Sequence, residues 1–213
     1  MDPNAMVPFH PAIASRTGCL SGNPIYNCRR NRMRPVCFCV LFAATLLAAP
    51  AAGPTLTIVL EFQGPHSASS IDEMKREFEA VMKSSGVSFD WRYRDEIDGQ
   101  TFDNLVVVRF KGRCVLEPVG YLYDERGPLA FTYATAGEVQ PYSEVACDHV
   151  TASVRSAMAG GDFARADLLL GRALGRVVAH EMAHMLSKSG THARSGVDRP
   201  ALSGKSLIAA DRP

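Results

Sequence analysis

The stretch TLTIVLEF over 55–62 is β-branched and alternates enough to predict a strand, which Gly64-Pro65 stops. Ser70 then reads as a helix N-cap with Glu73 three residues on, a capping box. Met74, Phe78, Val81 and Met82 follow at helical spacing, and Gly86 closes that helix. Strict alternation over 87–93 predicts a second strand, and the apolar run over 104–110 a third, more buried one. The opening order β-α-β-β implies a mixed sheet with a helix on one face.

The middle of the chain is punctuated by Pro118, Gly120, Gly127-Pro128, Gly137 and Pro141. These bracket a strand over 129–134, a candidate sheet edge, and another near 143–147. From Asp162, read as an N-cap, the pattern turns helical for a long way. Phe163, Ala166, Leu169, Leu170, Ala173, Leu174, Val177 and Val178 form one broad apolar face, and 187–190 supplies the stop. Beyond it lies a loop-like segment with Gly196, Pro200 and Gly204, then a short helix over 205–210. The class this predicts is α+β, with one domain over 52–213. In it a mixed sheet lies over the long helix.

Composition adds bounds. A chain of 213 residues, 46% hydrophobic and 21% charged, has a sizeable core. A net charge of +1, without a Lys/Arg cluster in the part expected to fold, argues against a nucleic-acid partner. Residues 1–51 read as an extension plus signal peptide, basic over 29–34, apolar over 36–49, with small residues at Ala49 and Ala51. The apolar run is shorter than the about 20 residues of a membrane span. Export is therefore the expectation, with a retained N-terminal anchor as the alternative and either Met1 or Met33 as the start. Those 51 residues hold five of the 23 basic and one of the 22 acidic groups, so the remainder is mildly acidic.

Of the six cysteines only Cys114 and Cys147 follow the signal segment. An even pair in an oxidising compartment predicts a disulfide; two buried free thiols are the alternative.

Chemistry concentrates in VVAHEMAHMLSKSGTH, 177–192. Histidines four apart project from one helix face, so His180 and His184 can reach one metal ion, while Glu181 is offset toward a water bound there. Met182, Ala183 and the flanking Val178, Ala179, Met185 and Leu186 are uncharged, as a helix beneath a cleft requires. A hydrolytic zinc site takes three protein ligands and a water. No glutamate follows Glu181, and Asp211 is two residues from the end. His149, in Cys147-Asp148-His149, is remote in sequence and reads as a surface residue or as one that supports the site from behind its ligands. His192, just past Gly190, is the first choice for the third ligand and Asp198 the second.

The segment VVAHEMAHML, followed by GTH, resembles the active-site helix and third-ligand loop of zincin metallopeptidases, nearest the three-histidine, metzincin-like type found in small exported bacterial proteins. The resemblance implies Zn²⁺ on His180, His184 and His192, with Glu181 as general base in hydrolysis of a peptide or protein substrate. Ser187 and Gly190 stand where metzincins have a glycine and the third histidine, and no methionine follows Met185. These departures set the chain apart from the standard members. Tyr133, Tyr142 and Arg194 are equal candidates for stabilising an oxyanion. The rival expectations are an exported domain whose zinc is structural and an interaction module with no metal.

Overall fold

The computed structural model describes residues 53–118, 127–158, 161 and 163–212. The expected signal segment and the Asp162 cap lie outside them. Five strands, β1 (Thr55–Phe62), β2 (Ser88–Tyr93), β3 (Leu105–Lys111), β4 (Ala130–Thr135) and β5 (Glu138–Ala146), form one sheet in the order β2-β1-β3-β5-β4. β4 runs antiparallel to β5, and every other pairing is parallel. The fold is α+β with a mixed sheet.

β1 and β3 both sit between two neighbours, but β1 is buried at every position from Leu56 to Leu60, whereas β3 alternates between buried and half-buried positions. A strand hidden on both faces reads as a nearly continuous apolar run, and one with a wet face alternates. The helix-side face presents Ile58, Leu60, Val108, Phe110 and Val145 to the core.

Helix α1 (Ala68–Met82) crosses from β1 to β2 and buries Ile71, Met74 and Phe78. Its N-cap is Ser67, whose hydroxyl accepts from the Ser70 amide at 3.4 Å, and not Ser70 as expected. Ser70 lies one turn inside and donates its hydroxyl to Asp167 at 2.8 Å, so a tertiary partner takes the side chain the capping box needed. Helix α2 (Cys147–Met158), not anticipated, begins where β5 ends, so Cys147 opens a helix and does not close the strand.

Helix α3 (Ala166–Ser187) carries the histidine motif and packs against α1. Gly171 and Gly175, one turn apart, are the reason the two approach so closely. A Cβ on Gly175 would lie 2.7 Å from the Met74 carbonyl oxygen, and one on Gly171 would lie 2.5 Å from that of Ser70.

The far end of the chain is fastened to α3. Arg176, 1% exposed, pairs with buried Glu77 at 2.8 Å and donates to the carbonyls of Ser206, Ala209 and Asp211. Breaking one side of such a buried pair costs roughly 3–5 kcal/mol. These bonds and helix α4 (Gly204–Ile208), with Leu207 in the core, hold the segment after the histidine loop. The expected disulfide is present: Cys114 and Cys147 are bonded, with Cα atoms 4.9 Å apart. Among the described residues, no helix is long and apolar enough to cross a membrane.

Candidate metal centre

His180 and His184 occupy the last two turns of α3, the second buried and the first half-buried. Each ring turns Nδ1 to a backbone carbonyl: His180 to Val197 and His184 to Ser189, both at 2.8 Å. A carbonyl oxygen only accepts, so Nδ1 must carry the proton in each ring. In a neutral ring that leaves Nε2 as a lone-pair donor, and the two Nε2 atoms face one another at 3.2 Å. Two such lone pairs repel unless a cation or an added proton lies between them. Two nitrogens of a tetrahedral zinc site, each about 2.0–2.1 Å from the ion, would be about 3.3–3.4 Å apart. The observed separation fits that edge. A carbonyl holding the far nitrogen is also the usual support of a metal-binding histidine.

The third ring arrives through the end of the helix. Lys188 adopts the left-handed conformation (φ 53°), with its N–H directed at the His184 carbonyl, which also accepts from Ser189 N at 3.2 Å. The reversal is thus made at Lys188 and not at Gly190, whose φ is not positive. Ser189 and Thr191 then close a tight turn through their hydroxyls at 2.8 Å, and Thr191 N donates to Ser189 Oγ at 3.1 Å. His192, which is exposed, comes back over the pair. It stacks on the His180 ring (centroids 5.2 Å apart) and meets the His184 ring edge-on (4.8 Å). The ligand atoms of His180, His184 and His192 all lie within 4.8 Å of one another, the one such grouping among the described residues.

Asp198 is not part of that group. Its Oδ1 is buried without a partner, and its contribution to the loop is its carbonyl, which accepts from Ala193 N at 2.8 Å. Asp211 likewise acts through its carbonyl, on Arg176. His149, on α2, turns Nδ1 to the Pro128 carbonyl at 2.9 Å, so it holds the start of β4 and stands outside the cluster.

Glu181 is 4% exposed, and its Oε2 accepts from Thr132 Oγ1 at 2.7 Å. Thr132 lies on β4, the sheet edge expected over 129–134. Sequence reading did not single it out. Its neighbours Phe131 and Tyr133 therefore project from the opposite face, where Tyr133 meets Tyr142 (centroids 4.8 Å apart) and Arg109 covers Tyr142. Both tyrosines thus point away from Glu181. Arg194 is exposed on the histidine loop.

A cavity of about 280 Å³ opens beside His180, floored by Val177, His180 and Glu181. One wall is 127–130, leading into β4, and the other is 199–202. Arg199, also unremarked in the sequence, belongs to this second wall. The donor set therefore fits a metal ion: three imidazoles converge, two of them fixed in the ligating tautomer, beside a carboxylate held apart from them. Compared with known proteins, the chain matches no family model, no curated sequence and no solved structure.

Proposed function

We propose that the chain is an exported, zinc-dependent hydrolase of peptide bonds, with His180, His184 and His192 holding the metal and Glu181 acting as general base. The observation that carries this reading is the pair of Nε2 atoms facing at 3.2 Å, each set by an Nδ1–H bond to a carbonyl. A purely structural site has no use for a buried carboxylate one residue from its first ligand, so Glu181 favours turnover. Zinc bound there would polarise a scissile carbonyl and acidify a water molecule.

The chain's own groups account for the remaining steps. Glu181 takes a proton from the attacking water and returns it to the leaving amine. Thr132 keeps the carboxylate aimed while it does so. The outer edge of β4 offers backbone groups to an extended peptide, which would place the scissile bond beside Glu181. Export is supported by the basic and apolar segments over 29–49 and by the Cys114–Cys147 bond, since disulfides persist in oxidising compartments.

The test is Glu181→Gln in the zinc-loaded protein. The amide cannot accept the proton, so cleavage of a peptide library should fall by at least about 10²-fold while zinc content stays unchanged. A wild-type protein that holds one zinc and cleaves nothing would instead support a structural zinc.

A further inference from the structure

We propose that Arg199 makes the cavity beside His180 and Glu181 a subsite for a carboxylate, so that the preferred substrates place an acidic group there. The catalytic part of this proposal rests on the hydrolase reading; the binding part does not. The cavity walls are apolar at Val177, Leu129 and Leu202, and Arg199 is the one Lys or Arg among its lining residues. The Nε of Arg199 is buried and has no hydrogen-bond partner. Among the described residues no carboxylate forms an ion pair with this guanidinium, Asp198 included.

Other arginines close to the core are used differently. Arg176 meets Glu77 and three carbonyls, and Arg172 donates to the carbonyls of Ile208 and Ala209. With Nε enclosed by protein, a ligand in the cavity would meet the terminal nitrogens of this half-buried guanidinium, whose planar pair of N–H groups matches a carboxylate in a bidentate contact. At about 280 Å³ the cavity lies just below the usual range for small-molecule sites, room for one side chain or a chain terminus. Arg199 enters from the loop wall and Glu181 from the helix floor, so an incoming carboxylate has a cation to balance the repulsion from Glu181.

Two sources of carboxylate fit this chemistry: a glutamate or aspartate side chain, and the free C-terminus of a peptide. The experiment uses zinc-loaded protein carrying Glu181→Gln, which binds without cleaving, and labelled peptides followed by fluorescence anisotropy. One pair of peptides, both amidated at the C-terminus, differs as Glu against Gln. A second pair carries an apolar side chain and differs as free against amidated C-terminus. At least about 10-fold tighter binding of the acidic member is expected in one pair, and which pair shows it identifies the source. Adding Arg199→Met should erase the preference, Arg199→Lys should keep part of it, and Arg199→Glu should turn it toward a lysine peptide. Equal affinities within both pairs, or a preference that survives Arg199→Met, would overturn the proposal. Failure of the hydrolase reading looks different: the acidic preference would persist in binding while the wild-type protein cleaves none of these peptides.

Discussion

Thr132 on the edge strand donates its hydroxyl to the Glu181 carboxylate at 2.7 Å, joining the last strand of the sheet to the helix that bears the histidines. Hydrogen bonds to charged groups are worth about 1.5–3 kcal/mol, about 10-fold or more in a rate if the bond matters most in the transition state. Thr132→Val should therefore lower kcat by about 10-fold, with KM and zinc content little changed. Thr132→Ser should restore most of the loss. If Thr132→Val lowers only thermal stability and leaves kcat alone, Thr132 is structural and does not position Glu181.

The contact between α1 and α3 gives a prediction whose sign is opposite to helix propensity. In an exposed helix interior, Gly→Ala stabilises by about 1 kcal/mol. At Gly175 the new methyl would lie 2.7 Å from the Met74 carbonyl and 2.9 Å from the Glu77 Cβ, so the helices must separate. Overpacking of this kind costs about 1–3 kcal/mol. Gly175→Ala should lower stability in urea or guanidinium unfolding, and a stabilised variant would contradict the packing described.

Much of this arrangement was legible in the sequence, where the signal is local. β1 runs over 55–62 as expected, β2, β3 and β4 fall within a residue of expectation at each end, and the histidine spacing placed His180 and His184 on one helix face. What was not legible depends on distant partners. Ser67 and Ser70 are both competent caps, and the choice turns on Asp167, which is far away in sequence. α2 follows β5 without a turn residue, so nothing marked where one ended and the other began. The reversal at Lys188 relies on the His184 carbonyl and not on glycine. Thr132 faces Glu181 because of the phase of β4, which alternation alone leaves open between two faces.

The disulfide closes a loop with a sequence separation of 33 residues, tying the segment after β3 to the start of α2. Loop-closure entropy puts its contribution at about 3–4 kcal/mol. Replacing Cys114 and Cys147 together by Ala should lower the unfolding free energy by about that amount. A loss below about 1 kcal/mol would show that the bond constrains little in the unfolded chain.

Alkaline stability reports on the sheet face that carries Tyr142. Burial pushes the Tyr142 hydroxyl above the ordinary tyrosine value; Arg109 opposes this, and Glu144, Tyr133 and Glu61 reinforce it. A raised folded-state value means that the stability linked to this proton is fully present below about pH 10 and is lost as pH rises through the folded value. Lys111, raised by its hydrogen bond to Glu144, loses its contribution in the same direction. Tyr142→Phe should remove the Tyr142 part of the alkaline loss and leave the Lys111 part. It also removes a buried hydroxyl that has no partner, so stability at pH 7 should rise by about 1 kcal/mol. Hydrolysis should be unchanged, because the ring lies on the sheet face away from Glu181. A steeper alkaline loss or reduced cleavage would contradict this.

Metal content of the purified chain, measured by elemental analysis beside His192→Ala and Asp198→Ala, tests the three-histidine centre most directly. The proposed centre calls for one zinc per chain in the wild type and in Asp198→Ala, and severe loss in His192→Ala, where three proposed ligands become two. A wild type without metal, or full occupancy in His192→Ala with loss in Asp198→Ala, would contradict it.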